Sequence, residues 1–241
     1  MGRSTAEISI DVPGVGALPA YAATAAGGGP APGVVVVHEA FGLTDDIRRI
    51  ADEFAARGFH AVAPDLLSHG GMVRCLVSVT RAMSAGEGRP FAELEAARGW
   101  LADRDDCTGQ VGIAGFCMGG AFALLMANRG FDASAVNYGR LPKRLDAAVQ
   151  GACPVVASYG ALDGSLTGAA AKLETALESA GVVHDVKEYA DAGHSFINRS
   201  DVPGWMKPLT RSLHAGYVDT AATDAWDRIQ VAFDSALRPS T

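Results

Sequence analysis

The run Gly115-Phe116-Cys117-Met118-Gly119-Gly120 sets a thiol between two closely spaced glycines. Gly-x-Cys-x-Gly is the pattern of a nucleophile elbow when it joins a strand to a helix, because the glycines let the backbone turn sharply and lift the nucleophile clear of the sheet. The flanking sequence supplies that context: Val111 to Phe116 reads as a buried strand, and Met118 to Asn128 as a helix with Gly130 past its end. With 29 glycines and 4 cysteines in 241 residues, an accidental match is expected in about 6% of such chains. The structural alternative is a buried cysteine in a glycine-rich turn.

A free thiol has a pKa of about 8.5, so at neutral pH only a few per cent is thiolate and a base is needed. Where an elbow works with a base and an acid, the chain order is nucleophile, acid, base, with the last two on loops after later strands. Asp163 in Tyr159-Gly160-Ala161-Leu162-Asp163-Gly164 and His194 in Ala192-Gly193-His194-Ser195-Phe196 meet that requirement. Each follows a predicted strand at its carboxyl end, where α/β sheets place their sites. Taken singly, Asp163 also fits a helix cap before Leu166, and His194 an ordinary loop histidine. Asp191 is the rival acid, although its place on the histidine's own loop suits a turn residue better.

The elements that would position these groups alternate along the chain. Glu7 to Val12 and Leu18 to Ala23 read as an antiparallel pair, and Gly27 to Gly33 as a turn-rich connector. Val34-Val35-Val36-Val37 is a β-branched run suited to a strand buried on both faces, ending at His38-Glu39-Ala40. Thr44 then caps a helix with Asp45 and Asp46 in its first turn; Ile47, Ile50, Ala51 and Phe54 form its apolar stripe and Gly58 closes it. Further strands are predicted at Phe59 to Ala63, Ser134 to Tyr138, Val155 to Tyr159 and Val182 to Tyr189. Helices are predicted at Phe91 to Ala102, along the stripe Leu166 to Leu177, and around Ala222 to Leu237. This rhythm predicts an α/β fold with a mostly parallel sheet flanked by helices on both faces. Residues 1–241 are expected to form a single domain without a lid domain, leaving Ser68 to Pro90 and Phe196 to Asp219 to wall a pocket.

The balance of 20 Lys and Arg against 27 Asp and Glu gives a formal charge of −7, a field that repels phosphate backbones and anionic surfaces. Nucleic acid and membrane are therefore not expected partners, and no run approaches the 18 or so apolar residues of a membrane span. Met1 to Gly14 has no signal-peptide core. Cys75, Cys107, Cys117 and Cys153 lack CxxC spacing, so reduced thiols in a cytoplasm are expected. The histidines show neither metal-ligand spacing nor a cysteine partner, and Gly14-Val15-Gly16 is only a fragment of a dinucleotide fingerprint, so neither metal nor cofactor is expected.

The chain resembles the dienelactone hydrolases, cysteine-dependent α/β-hydrolases of the carboxymethylenebutenolidase type. The matching pieces are His38-Glu39-Ala40-Phe41-Gly42-Leu43, Ala63-Pro64-Asp65-Leu66, Gly115-Phe116-Cys117-Met118-Gly119-Gly120, the Asp163 turn and Gly193-His194-Ser195-Phe196, in the family's order over almost the whole length. The resemblance implies an α/β-hydrolase fold and hydrolysis of a small ester or lactone through Cys117, His194 and Asp163, by way of an acyl-thioester. It implies that Glu39 contacts the Cys117 thiol at rest and takes part in its activation. From the residues alone, Glu39 is an acid at the end of a buried strand, which calls for a partner or a raised pKa; a salt bridge or a helix N-terminal contact would also satisfy it. The oxyanion hole would map to the Met118 and Ala40 amides.

In family members that cleave dienelactones, arginines hold the substrate carboxylate. One follows the histidine in a pattern like HSFAR, where this chain has Asn198 with Arg199 one place on, and another comes from the segment holding Arg74 and Arg81. Tyr138 corresponds to an aromatic near the pocket, or else packs in the core. Two other readings stay open: a broad carboxylesterase or thioesterase using the same residues, and a non-catalytic scaffold whose Cys117 senses oxidants. The sequence leaves a monomer and a small homo-oligomer equally open.

Overall fold

A computed structural model describes residues 4–70, 72–199 and 213–238, with the side chains of 72–76 outside the description. The strands are β1 (Thr5–Val12), β2 (Gly16–Ala23), β3 (Ala31–Val37), β4 (His60–Pro64), β5 (Cys107–Phe116), β6 (Ala133–Asn137), β7 (Val155–Gly160) and β8 (His184–Tyr189). The helices are α1 (Asp45–Ala56), α2 (Met72–Ala85), α3 (Arg89–Ala102), α4 (Met118–Met126), α5 (Leu145–Val149), α6 (Ala169–Ser179) and α7 (Asp219–Leu237). The strands form one sheet in the order β1-β2-β4-β3-β5-β6-β7-β8. β1, β2 and β4 pair antiparallel in turn, and all pairs from β4 to β8 are parallel.

The β-branched run Val34 to Val37 is fully buried, as a strand covered on both faces requires. α1 and α7 cover one face through Phe54, whose ring lies 4.9 Å from that of Trp226 and 6.0 Å from that of Phe233. α3 and α4 meet on the other face, with the Phe91 and Phe122 rings 5.4 Å apart. α1 starts where its sequence says it should, with Thr44 Oγ1 accepting the Ile47 N–H. Among the described residues no helix is long and apolar enough to cross a membrane.

Two expectations need correction. Ser68 to Pro90, given no element above and left to wall a pocket, holds α2, whose Val79 is fully buried. The second is Tyr138, which lies just beyond β6 with a left-handed backbone (φ 42°). Its N–H still continues the ladder to Ser158 O on β7 at 2.7 Å, and the next residue, Gly139, lies against the α4 main chain, where a Cβ would stand 2.4 Å from Gly120 C.

The loop between β4 and α2 is anchored through Glu93 of α3, a fully buried acid whose Oε1 meets Arg89 Nη1 at 3.0 Å and His69 Nε2 at 3.1 Å. Burial pushes its carboxyl from 4.5 up to about 7, against the pull of Arg89. Because the folded pKa is raised, ionising Glu93 costs stability: the cost is absent at pH 4, grows as pH rises through 7, and is constant above. At about 1.4 kcal/mol per unit it amounts to about 3 kcal/mol. Urea unfolding of the parent and of Glu93→Gln at pH 4.5 and pH 8 is therefore expected to show the parent losing about that much relative to the variant as pH rises.

Candidate active site

The chain runs from β3 to β4 on one side and from β5 onward to the other, so β3 and β5 flank the point where the winding reverses. In open α/β sheets this crevice, outside the carboxyl ends of the strands, is where ligands bind. Glu39 leaves β3 there and Cys117 leaves β5, with the two strands held level by the register Val37 to Gly115. Ala40 and Met118 each stand three places beyond that pair in the chain.

Cys117 joins β5 to α4 with φ 56° and ψ −112°, a left-handed conformation that a non-glycine residue adopts only at a cost of about 1–3 kcal/mol. Close backbone approach enforces it. A Cβ on Gly115 would stand 1.9 Å from Gly119 O, and one on Gly119 would stand 2.1 Å from Val37 O. The N-terminus of α4 is thus pressed onto the end of β3, and neither neighbour is a flexible side chain. Gly119→Ala is expected to destabilise the fold by about 3 kcal/mol or more, or to prevent soluble expression; thermal unfolding checks this. Met118 is the first residue of α4, where a backbone N–H has no intrahelical acceptor and points out of the helix end.

His194 sits on the loop after β8. Its Nδ1 lies 2.6 Å from Asp163 Oδ2, and the other Asp163 oxygen accepts the Ser165 N–H at 3.0 Å and the Ser165 hydroxyl at 2.7 Å. Asp163 is fully buried. Burial works against its charge, but His194 and Ser165 outweigh it and hold the carboxyl below its usual range. Burial likewise works against a charged His194; the Asp163 bond, then the Cys117 side chain, outweigh it and push the imidazole up to about 10. The structure therefore brings Cys117, His194 and Asp163 together, and leaves Asp191 exposed on the surface.

Glu39 is 5% exposed and accepts the Ser195 hydroxyl at 2.8 Å. Burial raises its pKa, partly opposed by Ser195 and by the charge of His194. Its hydrogen-bond partner among the described residues is thus Ser195 and not the thiol that the family resemblance implied. Ser195 holds a left-handed backbone (φ 57°) beside His194, so the bond ties the histidine loop to the end of β3. His38, fully buried, accepts the Leu66 N–H at Nε2 (3.1 Å), which leaves Nδ1 to donate to Glu39 O (2.5 Å). Burial lowers its pKa, so the neutral ring braces the turn that carries Glu39 and Ala40.

The residues expected to bind substrate fare differently. Tyr138 is fully buried, its ring 5.3 Å from that of His194, and its hydroxyl donates to Asn198 Oδ1. Asn198 is 2% exposed, and its Nδ2 donates to Asp46 Oδ2 at 2.9 Å. Both groups are spent on each other and on α1. Arg199 turns outward, its guanidinium 4.9 Å from the Tyr217 ring and 3.2 Å from the Tyr217 hydroxyl. Arg81 is exposed on α2, and the Arg74 side chain lies outside the described residues. Sequence reasoning missed Ser195 as the partner of Glu39 and saw Asp46 only as a helix-end charge. Nothing local distinguishes either role, since both partners come from loops more than 100 residues away.

Residues 18–237 match the dienelactone hydrolase family. This chain belongs to that family. Among its relatives, a carboxymethylenebutenolidase of Pseudomonas sp. (strain P51) is 32% identical over 222 residues, covering 88% of this chain and 92% of the relative. A carboxymethylenebutenolidase of Pseudomonas putida is 30% identical over 214 residues, covering 83% and 84%. Of solved structures, a dienelactone hydrolase-like promiscuous phosphotriesterase from metagenomic libraries aligns with a TM-score of 0.79 at 26% identity, over 98% of this chain and 99% of that one. The dienelactone hydrolase of Anabaena variabilis shares the fold, with a TM-score of 0.72 at 20% identity over 99% and 100%. Membership in the dienelactone hydrolase family accords with an α/β-hydrolase sheet whose crevice carries the groups described above.

Proposed function

We propose that this dienelactone hydrolase family member hydrolyses small esters or lactones, with Cys117 as nucleophile, His194 as base and acid, and Asp163 orienting the imidazole. The observation that carries the reading is the pairing of a left-handed Cys117 at the strand-to-helix elbow with a histidine held 2.6 Å from a fully buried aspartate. The Cys117 thiolate attacks the carbonyl carbon, and the resulting oxyanion takes the Met118 and Ala40 N–H groups. Collapse breaks the ester C–O bond, and the imidazolium of His194 gives its proton to the leaving oxygen. His194 then takes a proton from water, whose oxygen attacks the thioester carbonyl and expels the thiolate as the acid leaves. Glu39, held by Ser195, lies beside this machinery as a second acid whose role is to be read from the Glu39→Gln variant. A cytoplasmic location, where the thiol stays reduced, belongs to the same proposal.

Mass spectrometry after rapid acid quench with an activated aryl ester is expected to find the acyl mass on the peptide carrying Cys117. Steady turnover with the label elsewhere, or with none, sinks the proposal. One observation favours a broader ester substrate over an anionic dienelactone: Asn198 is fully engaged and Arg199 faces outward, while Glu39 places an acid in the crevice. A panel of neutral lactones, anionic lactones, aryl esters and acyl-thioesters separates the two by kcat/KM.

A further inference from the structure

A chain of buried polar side chains crosses from α1 to the underside of the histidine and has no part in the chemistry proposed above. Asp46, 8% exposed, accepts the Asn198 Nδ2–H at 2.9 Å and the Arg199 backbone N–H at 3.0 Å on one oxygen, and Arg49 Nε–H at 2.7 Å on the other. Arg49 also reaches Ile197 O at 3.5 Å. Asn198 passes the connection on to the Tyr138 hydroxyl, and the Tyr138 ring packs 5.3 Å from His194 and 5.4 Å from Phe196. Three elements distant in sequence therefore meet in one hydrogen-bonded chain: the first turn of α1, the residue after β6 and the loop after β8.

We infer that Asp46, Asn198 and Tyr138 are positioning residues that set the angle of the His194 ring toward Cys117. The argument is one of stiffness. A buried polar chain whose members all have partners rigidifies its surroundings, whereas one with an unpaired member is costly and loosens them. His194 needs such support, because its loop contains a left-handed Ser195 that would relax if Ile197 to Arg199 were free. Asp46 also bears on the site electrostatically, its charge being among the causes that raise the Glu39 pKa. A purely structural tie between α1 and the loop would not need Tyr138, whose hydroxyl joins the chain and whose ring, tilted at 59°, lies 5.3 Å from that of His194.

The inference rests on Cys117 and His194 being the reacting pair, and its test separates the two claims. Tyr138→Phe keeps the ring and removes only the hydroxyl; Asp46→Asn removes the charge at the other end. For each, the rate of Cys117 alkylation by iodoacetamide is followed against pH, alongside kcat and KM for a p-nitrophenyl ester and thermal unfolding. Mis-setting of the imidazole is expected to move the alkylation midpoint up by about half a unit or more and to cut kcat about tenfold, with KM changed less than about threefold. The inference is overturned if the midpoint stays within about 0.3 units and kcat within about twofold of the parent, or if the only change is a lower melting temperature. Should Asp46→Asn not fold, Tyr138→Phe alone decides. If the parent turns over no ester at all, the proposed function fails, while the alkylation profiles still report on the positioning chain.

Discussion

Replacing Cys117 by alanine is expected to reduce hydrolysis of an activated ester by about 10⁴-fold or more, to the level of the uncatalysed reaction plus whatever the oxyanion amides and binding supply. The fold should survive, and the reason is specific. Cys117 is only partly buried, so deleting its sulfur opens no closed cavity, and its left-handed φ of 56° is imposed by backbone contacts that alanine leaves intact. A melting temperature within a few degrees of the parent, together with lost turnover, is the expected pair of results. Retained turnover in a folded Cys117→Ala protein would transfer the nucleophile to water or to another side chain and remove the thioester from the mechanism.

Asp163→Asn is expected to fold and to lose about 10⁴-fold in kcat, because the amide can present N–H to His194 Nδ1 and force the wrong tautomer. The accompanying change in pH behaviour follows from the raised imidazole. A histidine whose folded pKa stands near 10, above the usual 6.5, contributes stability fully below pH 6.5 and loses it as pH rises through 10. Asp163, held below its usual 3.8, contributes above that value and loses its share as the solution is acidified. The parent's advantage over Asp163→Asn in urea unfolding should therefore be greatest between about pH 4 and 6.5 and shrink on either side. In the variant, the His194 resonance in a proton–nitrogen correlation spectrum should titrate nearer 6.5. A His194 pKa unchanged by the substitution would mean that Asp163 does not set it.

Much of this was legible in the residues because the signals were local. The elbow is written in six consecutive residues, the β-branched run of β3 allows only a buried strand, and Thr44 with its following acids marks the start of α1. That Asp163 and His194 stand on loops after strands and meet could be anticipated because chain order and strand ends restrict where such a pair occurs. What could not be read lies across the fold. The family resemblance placed Tyr138 and Asn198 near a pocket, but each satisfies the other in the interior, a pairing across 60 positions that no window of sequence contains. Ser195 was visible only as part of a motif, since its partner Glu39 stands 156 positions earlier. α2 escaped notice because its apolar spacing runs from Leu76 to Met83 between glycine-rich flanks that read as loop.

The contact between the start of α4 and the end of β3 has a mechanical consequence. With Gly119 seated on the Val37 carbonyl, helix and strand meet main chain to main chain, and no side chain lies between them to act as a spring. Any small slide of the helix is handed directly to the turn after Val37, so the two amide-bearing corners travel as one piece. In the proposed mechanism, the separation of the Ala40 and Met118 amides is thereby set by main chain and not by side-chain packing.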